Sequence, residues 1–120
     1  LIIYAPGLAP EEIDSWCMQM DVQPTLLSLL GIRAKQEHFG QNILQKPRSM
    51  ALYTADNMIG ARSDGHLYIY EPGTGTEWFY KSAADKKVVS CEEPDSTLHY
   101  MKRTLFSTLQ TAQEEIKKHE

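Results

Sequence analysis

Between residues 50 and 81 apolar and polar residues alternate, and turn residues interrupt the alternation at intervals of a few residues. A period of two is typical of antiparallel strands that turn one face toward a core and the other toward water. Asp64-Gly65 and Pro72-Gly73-Thr74-Gly75 supply the residues that tight turns favour. This segment predicts an antiparallel meander, with strands at Met50–Thr54, Met58–Arg62, His66–Glu71 and Glu77–Lys81.

The third of these strands is predicted to have two different faces. Tyr68 and Tyr70 fall on one face, and Leu67 and Ile69 fall on the other. We expect one face to pack inward and the other to stay partly wet. Aromatic pairs across the strands are expected to fix the register, with the fourth strand contributing Trp78 and Tyr80.

A helical period begins after Pro94. Asp95 or Ser96 can cap the first turn. Apolar residues then recur three or four positions apart, which is the spacing of one helix face. We predict a long amphipathic helix that covers a sheet face with Leu98, Met101, Leu105, Leu109, Ala112 and Ile116.

The first 49 residues have a different pattern. Leu1–Ala5 is an unbroken apolar run closed by Pro6-Gly7, which indicates a strand covered on both faces, as in a parallel sheet. Asp21 is predicted to cap a short, buried, leucine-rich helix that ends at Gly31. Residues 33–49 show neither period and are predicted to form a loop. Because the chain opens inside a strand, we expect it to be a piece of a longer protein.

Composition argues against several classes of function. Twelve Lys and Arg face sixteen Asp and Glu, a net charge of −4, so nucleic acid is not an expected partner. No apolar run reaches the roughly 20 residues of a membrane-spanning helix, so we expect no membrane contact from this chain. The four histidines are too far apart for a zinc motif, and no nucleophile motif occurs. The sequence leaves open whether Cys17 and Cys91 form a disulfide or remain two free thiols.

Residues around the Asp64-Gly65 turn are the candidates for a site. Asp64 and His66 could face each other as an acid–base pair, although an ordinary Asp-Gly hairpin accounts for the same residues. Arg62 and His66 flank the turn and could meet an anionic ligand, or they could be solvated surface.

Several segments, in order, resemble the late part of the sulfatase and phosphoglycerol transferase branch of the alkaline phosphatase superfamily. The motif that carries the resemblance is Asp21-Val22-Gln23-Pro24-Thr25-Leu26-Leu27. The apolar run ending in Pro6-Gly7 is similar to the strand that precedes this motif in the family, and Phe39-Gly40-Gln41-Asn42-Ile43-Leu44 is similar to the segment that follows it. Residues 59–69 resemble a later strand pair, and Glu77-Trp78-Phe79-Tyr80 with Asp85 loosely resembles a further segment.

The resemblance implies an α/β enzyme of which this chain supplies residues 1–49, a late strand and helix of the main sheet, and residues 50–120, an antiparallel subdomain with a terminal helix. As a fragment this is α+β. The family's nucleophile and metal ligands lie upstream, so the resemblance implies no catalytic, cofactor or metal residue here and a divalent metal in the upstream part, with the remainder of the enzyme as partner. It also implies a parent on the periplasmic or extracellular side of the membrane, where a bridge between Cys17 and Cys91 would be permissible.

Two expectations concern contact with substrate. Ligands of α/β sheets gather beyond the carboxyl ends of parallel strands, so the loop Pro6–Gln19 would lie nearest the site. Its carboxylates, Glu11, Glu12 and Asp14, would repel an anion, and the loop is therefore expected to shape the rim. Arg62 and His66 are the weaker rim candidates. The alternative function is a self-contained binding module that uses an exposed aromatic sheet face.

Overall fold

The computed structural model of the chain describes residues 1–35, 39–83 and 87–120. The architecture is α+β: an N-terminal part with one short helix precedes a sheet covered by a long helix. A 3₁₀ turn, Gln19–Asp21, leads into the first helix. The elements in order are α1 (Val22–Leu29), β1 (Ala51–Ala55), β2 (Met58–Ser63), β3 (His66–Glu71), β4 (Thr76–Ser82), β5 (Val88–Ser90) and α2 (Ser96–His119).

The sheet is the predicted antiparallel meander, extended by one strand. Its spatial order is β1-β2-β3-β4-β5, so each strand pairs with its neighbour in sequence. Asp56 and Asn57 both have positive φ in the β1–β2 turn, as a two-residue type I′ hairpin requires. Gly65 has φ +72° in the β2–β3 turn. The fifth strand, which sequence did not predict, is a three-residue exposed edge.

The core lies between one sheet face and the first three turns of α2. Ala61 and Tyr68 of the sheet and Leu98, Met101 and Leu105 of the helix are almost completely buried. Tyr68 and Tyr70 therefore lie on the inward face of β3. The sequence alone left open which of the two faces of this strand would pack inward. In a second contact across this interface, the ring of Tyr70 meets Phe106 edge to face at 5.0 Å.

The aromatic register differs from the predicted one. Tyr68 lies opposite Phe79, and the two rings stack with centroids 5.2 Å apart. Trp78 and Tyr80 lie opposite Ile69 and Leu67 instead of opposite other aromatic residues. The prediction was wrong because side chains on successive residues point to opposite faces, so only Phe79 shares a face with the tyrosines.

The capping predictions at α2 and at the end of α1 are confirmed. Asp95 is the N-cap of α2, and its side chain accepts a hydrogen bond from the Leu98 amide at 3.0 Å. Gly31 ends α1 with φ +68°. Its amide donates to Ser28, and the next amide, of Ile32, donates to Leu27, which is the paired pattern of a Schellman motif.

Two predictions for the first 49 residues were wrong. Leu1–Ala5 forms no strand, and Leu1 and Ile2 are at least 90% exposed. A parallel strand gains its hydrogen bonds from neighbouring strands, and the described part of this chain offers none there. The leucine side of α1 is also not buried, because Leu26 and Leu29 remain more than one-third exposed.

The far half of α2 extends past the sheet. Leu109 packs at the margin of the core, whereas Ile116 is 61% exposed. The predicted apolar stripe therefore covers the sheet only over its first half. Lys117, Lys118 and His119 occupy the last turn, where the helix dipole favours cations.

Candidate functional site

Both predicted rim residues lie beside the β2–β3 turn, within a group of polar and aromatic side chains. The turn places Arg62 and Asp64 at the end of β2 and His66 at the start of β3, because Gly65 adopts the left-handed conformation that the hairpin requires. The turn cluster, as we define it, consists of Trp16, Arg62, Asp64, His66, Lys81 and Asp95.

The sheet does not bring Arg62 and His66 together. His66 pairs with Ser63, and Ser63 lies on the α2 side, where its hydroxyl meets the sulfur of Met101 at 3.5 Å. Arg62 is the neighbour of Ser63 along the strand and so points to the opposite face. The two side chains therefore cannot bind one small anion together from the same side of the sheet. A role for each of them at a substrate rim stays a prediction.

His66 is held between two acceptors. Its Nδ1 lies 3.0 Å from the backbone oxygen of Asp64, and its Nε2 lies 3.1 Å from Oδ2 of Asp95. A carbonyl and a carboxylate only accept, so both bonds form together when both ring nitrogens carry a proton. The predicted acid–base pair of the Asp64 carboxylate and His66 is not formed, since the carboxylate partner of His66 is Asp95.

Asp95 also receives two further donors. The Leu98 amide caps the helix, and the ammonium of Lys81 lies 2.9 Å from Oδ2. These two contacts, with a smaller contribution from His66, hold the pKa of the Asp95 carboxyl well below its ordinary range. In turn, the hydrogen bond from Lys81 to Asp95 raises the pKa of that ammonium. His66 on β3 and Lys81 on β4 thereby hold the start of α2 against the sheet through their contacts with Asp95.

On the opposite side of the turn, Trp16 is the main contact of the N-terminal segment. Its indole Nε1 donates to Oδ1 of Asp64 at 2.9 Å. The guanidinium carbon of Arg62 lies 5.8 Å from the centre of the Trp16 ring, within the range of a cation–π contact. The backbone of Trp16 also forms an isolated antiparallel bridge with Arg48. Arg62 and Asp64 thus act on Trp16 and not on each other.

A buried ion pair fastens the same segment to the loop after α1. The side chain of Asp21 is 1% exposed, and it accepts hydrogen bonds from Nε and a terminal nitrogen of Arg48 at 2.6 and 2.5 Å. The backbone amides of Met18 and Gln41 complete its partners. Burial by itself would raise the pKa of Asp21, but these hydrogen bonds, the one from Arg48 foremost, outweigh it and lower that pKa.

The role of Asp21 corrects the sequence prediction. Its carboxylate does not cap α1, since it faces back to Met18 and across to Arg48. Sequence reasoning missed Arg48 and Trp16 altogether. Their partners lie 27 and 48 positions away in the chain, so no local period or motif could have indicated the pairs.

A second polar group lies under α2. The hydroxyl of Tyr68 donates to Glu77 at 2.9 Å, and the ammonium of Lys102 lies 2.7 Å from the same carboxylate. Burial, followed by the bond to Glu77, raises the pKa of Tyr68 far above its ordinary value. The hydrogen bond from Lys102 is the main cause that lowers the pKa of Glu77. This group joins α2 to β3 and β4, with Tyr68 buried and Lys102 and Glu77 partly exposed.

A large apolar groove lies between the N-terminal segment and α1. It has a volume of about 1490 Å³. Apolar side chains dominate its walls, among them Leu1, Tyr4, Leu8, Ile13, Leu26 and Leu29. Leu1 and Tyr4 belong to the predicted strand, Leu26 and Leu29 to the predicted buried helix, and Leu8 and Ile13 to the predicted rim loop.

Within residues 1–35, 39–83 and 87–120, no three His, Cys, Asp or Glu side chains are arranged to hold a metal ion. The divalent metal that the resemblance implies for the upstream part of the enzyme stays a prediction. Cys17 and Cys91 are both free thiols. None of the helices in the described ranges is long and apolar enough to cross a membrane. His38 and Asp85 lie outside the described residues.

No protein-family model and no curated protein sequence matches the chain. Its structure is similar to the crystal structure of a protein in the alkaline phosphatase superfamily from Vibrio parahaemolyticus, with a TM-score of 0.68 and 23% sequence identity. The match covers 90% of this chain but 27% of that protein, so the chain spans about a quarter of its neighbour's length. The chain therefore shares the fold of one part of that protein.

Proposed function

We propose that this chain is a non-catalytic, late part of a metal-dependent sulfatase-like hydrolase or phosphoglycerol transferase that acts on sulfate or phosphate esters. The remainder of that enzyme is its partner and carries the nucleophile and the metal. This chain supplies the loop Pro6–Gln19 at the rim of the site and a rigid subdomain behind it. The same family would put the enzyme on the periplasmic or extracellular side of the membrane.

The observation that carries the proposal is the amount of surface that the chain leaves uncovered. Its accessible surface is 9260 Å², whereas a self-contained monomer of this mass exposes about 6,600 Å². Its radius of gyration is 16.9 Å, against about 13.6 Å for a compact domain of this length. The excess area is of the size that one partner contributes to a large, permanent interface.

The uncovered apolar residues are concentrated where the resemblance puts the main sheet. Most of the exposed large hydrophobic side chains lie before residue 45, including Leu1, Ile2, Tyr4, Leu30 and Ile32. A contiguous apolar surface of this kind marks an interaction site. A strand such as Leu1–Ala5 would bury its side chains and satisfy its backbone by joining a sheet contributed by the remainder of the enzyme.

The alternative binding module is less well supported. It needs an exposed face of tyrosine and tryptophan, but Tyr68 is completely buried and Tyr70 packs on Phe106 beneath α2, so the tyrosines of β3 do not contribute; Trp78 and Tyr80 lie half-buried on the other face. The rings of Tyr68 and Tyr70 stabilise the subdomain and cannot bind a polymer.

The test compares the 120-residue chain with the complete protein encoded by its gene. Both are assayed on 4-nitrophenyl sulfate and 4-nitrophenyl phosphate with Mg²⁺, Mn²⁺, Ca²⁺ or Zn²⁺, before and after chelation. We expect turnover by the complete protein only, and its loss on chelation. Turnover by the 120-residue chain, or a complete protein that is inactive with every metal, would contradict the proposal.

A further inference from the structure

Trp16 is the point at which the rim loop joins the subdomain. At the beginning of the loop Pro6–Gln19, the Leu8 amide donates to the carbonyl of Ala5. At its other end, the side chain of Trp16 contacts the β2–β3 hairpin through the indole bond to Asp64 and the ring beside Arg62, and the backbone of Trp16 bridges to Arg48 in the loop before β1. These contacts come from two parts of the chain and converge on one residue.

The geometry explains why Arg62 and Asp64 occur together at this turn. An aromatic ring with an N–H group offers a face that attracts a cation and an edge that donates to an anion. Arg62 takes the face and Asp64 takes the edge. Because one residue lies between them on a strand that is entering a turn, the two side chains can bracket a single indole.

We propose that Arg62 and Asp64 are positioning residues, which hold Trp16 and through it fix the acidic loop at the rim of the proposed site. The claim about the rim rests on the proposed function, whereas the claim about Trp16 does not. In this proposal Arg62 acts on the rim through Trp16. Glu11, Glu12 and Asp14 lie within five residues of Trp16, and the loop between Gly7 and Trp16 spans at most about 30 Å. Fixing Trp16 thus limits where these carboxylates can be.

The first experiment reads the Trp16 contact directly and needs no enzyme activity. The chain has two tryptophans, so the substitution Trp78→Phe leaves Trp16 as the single indole in a ¹H–¹⁵N spectrum. Asp64→Asn retains an acceptor oxygen, and Asp64→Val removes it. We expect the indole proton to exchange with solvent about five- to tenfold faster in Asp64→Val, as the loss of one net hydrogen bond implies. Asp64→Asn should remain close to the parent.

Arg62 is tested in the same background. Arg62→Leu should shift the ring resonances of Trp16, and Arg62→Lys, which keeps a cation, should shift them less. Arg103→Leu is the matched control, because Arg103 is exposed on α2. Unchanged Trp16 exchange in Asp64→Val, or equal shifts in Arg62→Leu and Arg103→Leu, would overturn the proposal. Should Asp64→Val not fold, Trp16→Phe in the Trp78-containing chain tests the contact from the other side: the ¹³C resonance of the Asp64 carboxylate should move when the indole donor is lost, and an unchanged resonance would overturn the proposal.

A second experiment addresses the rim in the complete protein. Met18 stays bound to Asp21 when Trp16 is released, so the loop gains freedom over only two more residues. Asp64→Val and Arg62→Leu should therefore raise KM by a few-fold with kcat nearly unchanged, and Asp64→Asn should leave both unchanged. A fall in kcat without a change in KM would overturn the role at the rim. An inactive complete protein would instead refute the proposed function and leave the spectroscopic result standing.

Discussion

Arg48→Met should be among the most destabilising single changes in the N-terminal part of the chain. The substitution keeps the aliphatic stem but removes both charged hydrogen bonds to Asp21, whose side chain is 1% exposed. Removing one partner of a buried ion pair costs about 3–5 kcal/mol, because the remaining charge is left in a poorly solvating site. The backbone amides of Met18 and Gln41 still donate to Asp21, so we expect the lower half of that range.

Protonation of Asp21 limits the free energy of unfolding that Arg48→Met can remove, because the buried carboxylate can take up a proton instead of staying charged. The ordinary pKa of the carboxyl is 3.8, so protonation at neutral pH costs about 4 kcal/mol, and at about pH 5 it costs less than about 2 kcal/mol. In the native chain the pKa of Asp21 is lowered, so its contribution is present above 3.8 and is lost as the pH falls through the folded value. Without Arg48, burial is opposed only by the amides of Met18 and Gln41, so we expect the pKa of Asp21 to lie higher than in the native chain and protonation to relieve more of the loss as the pH falls. The difference in free energy of unfolding between the native chain and Arg48→Met must therefore become smaller toward pH 5.

The assay is urea denaturation at both pH values, followed by Trp16 fluorescence in the Trp78→Phe background. Arg103→Met is the matched control and should be neutral, because Arg103 is exposed. In Asp21→Asn/Arg48→Met neither charge remains, and the double variant should recover much of the loss. A loss below about 1 kcal/mol at both pH values, or one that does not depend on pH, would refute the reasoning.

Three further outcomes are expected. In the complete protein, Arg62→Ala and His66→Ala together should change turnover less than tenfold, about 1.4 kcal/mol, and a hundredfold loss from either one would show direct contact with the reacting group. A Cβ on Gly60 would lie 2.5 Å from the ring of Tyr53, which is 37% exposed and can turn toward water, so Gly60→Ala should cost about 1 kcal/mol in urea unfolding, the low end for overpacking. Adding Tyr53→Ala should then cost less than it does in the native chain, and strictly additive losses would contradict this account. Because folding lowers the pKa of Asp95, its carboxylate contributes fully to stability above the ordinary pKa of 3.8. That contribution is lost as the pH falls through the pKa of the folded state. The urea midpoint of Asp95→Asn should depend less steeply on pH below about 4 than that of the native chain, and equal slopes would be evidence against it.

Local chemistry was enough to predict much of the fold. The cap at Asp95, the stop at Gly31 and the strand His66–Glu71 each depend on neighbours within a few positions, and the structure shows all three. A hairpin or a helix end is decided by the same few φ angles and hydrogen bonds whatever surrounds it.

What the sequence did not predict depends on contacts between distant parts of the chain. Asp21 has the position of an ordinary helix cap, and only the approach of Arg48 from the following loop makes it a buried anion. Arg62 and His66 are four residues apart across a hairpin, and their separation onto opposite faces follows from the register that pairs Ser63 with His66. The run Leu1–Ala5 has the composition of a strand, yet a strand also needs a partner.

The order of the strands has a consequence for how the chain folds. Because the sheet order β1-β2-β3-β4-β5 repeats the chain order, every strand pairing closes only a short loop, and the contact order of the meander is low. The one distant step is the docking of α2 on β2 and β3, and loop-closure entropy grows only slowly with length. Residues 50–120 can thus reach their native topology without waiting for any segment that precedes them. The apolar N-terminal segment would then be the late-folding piece of the chain.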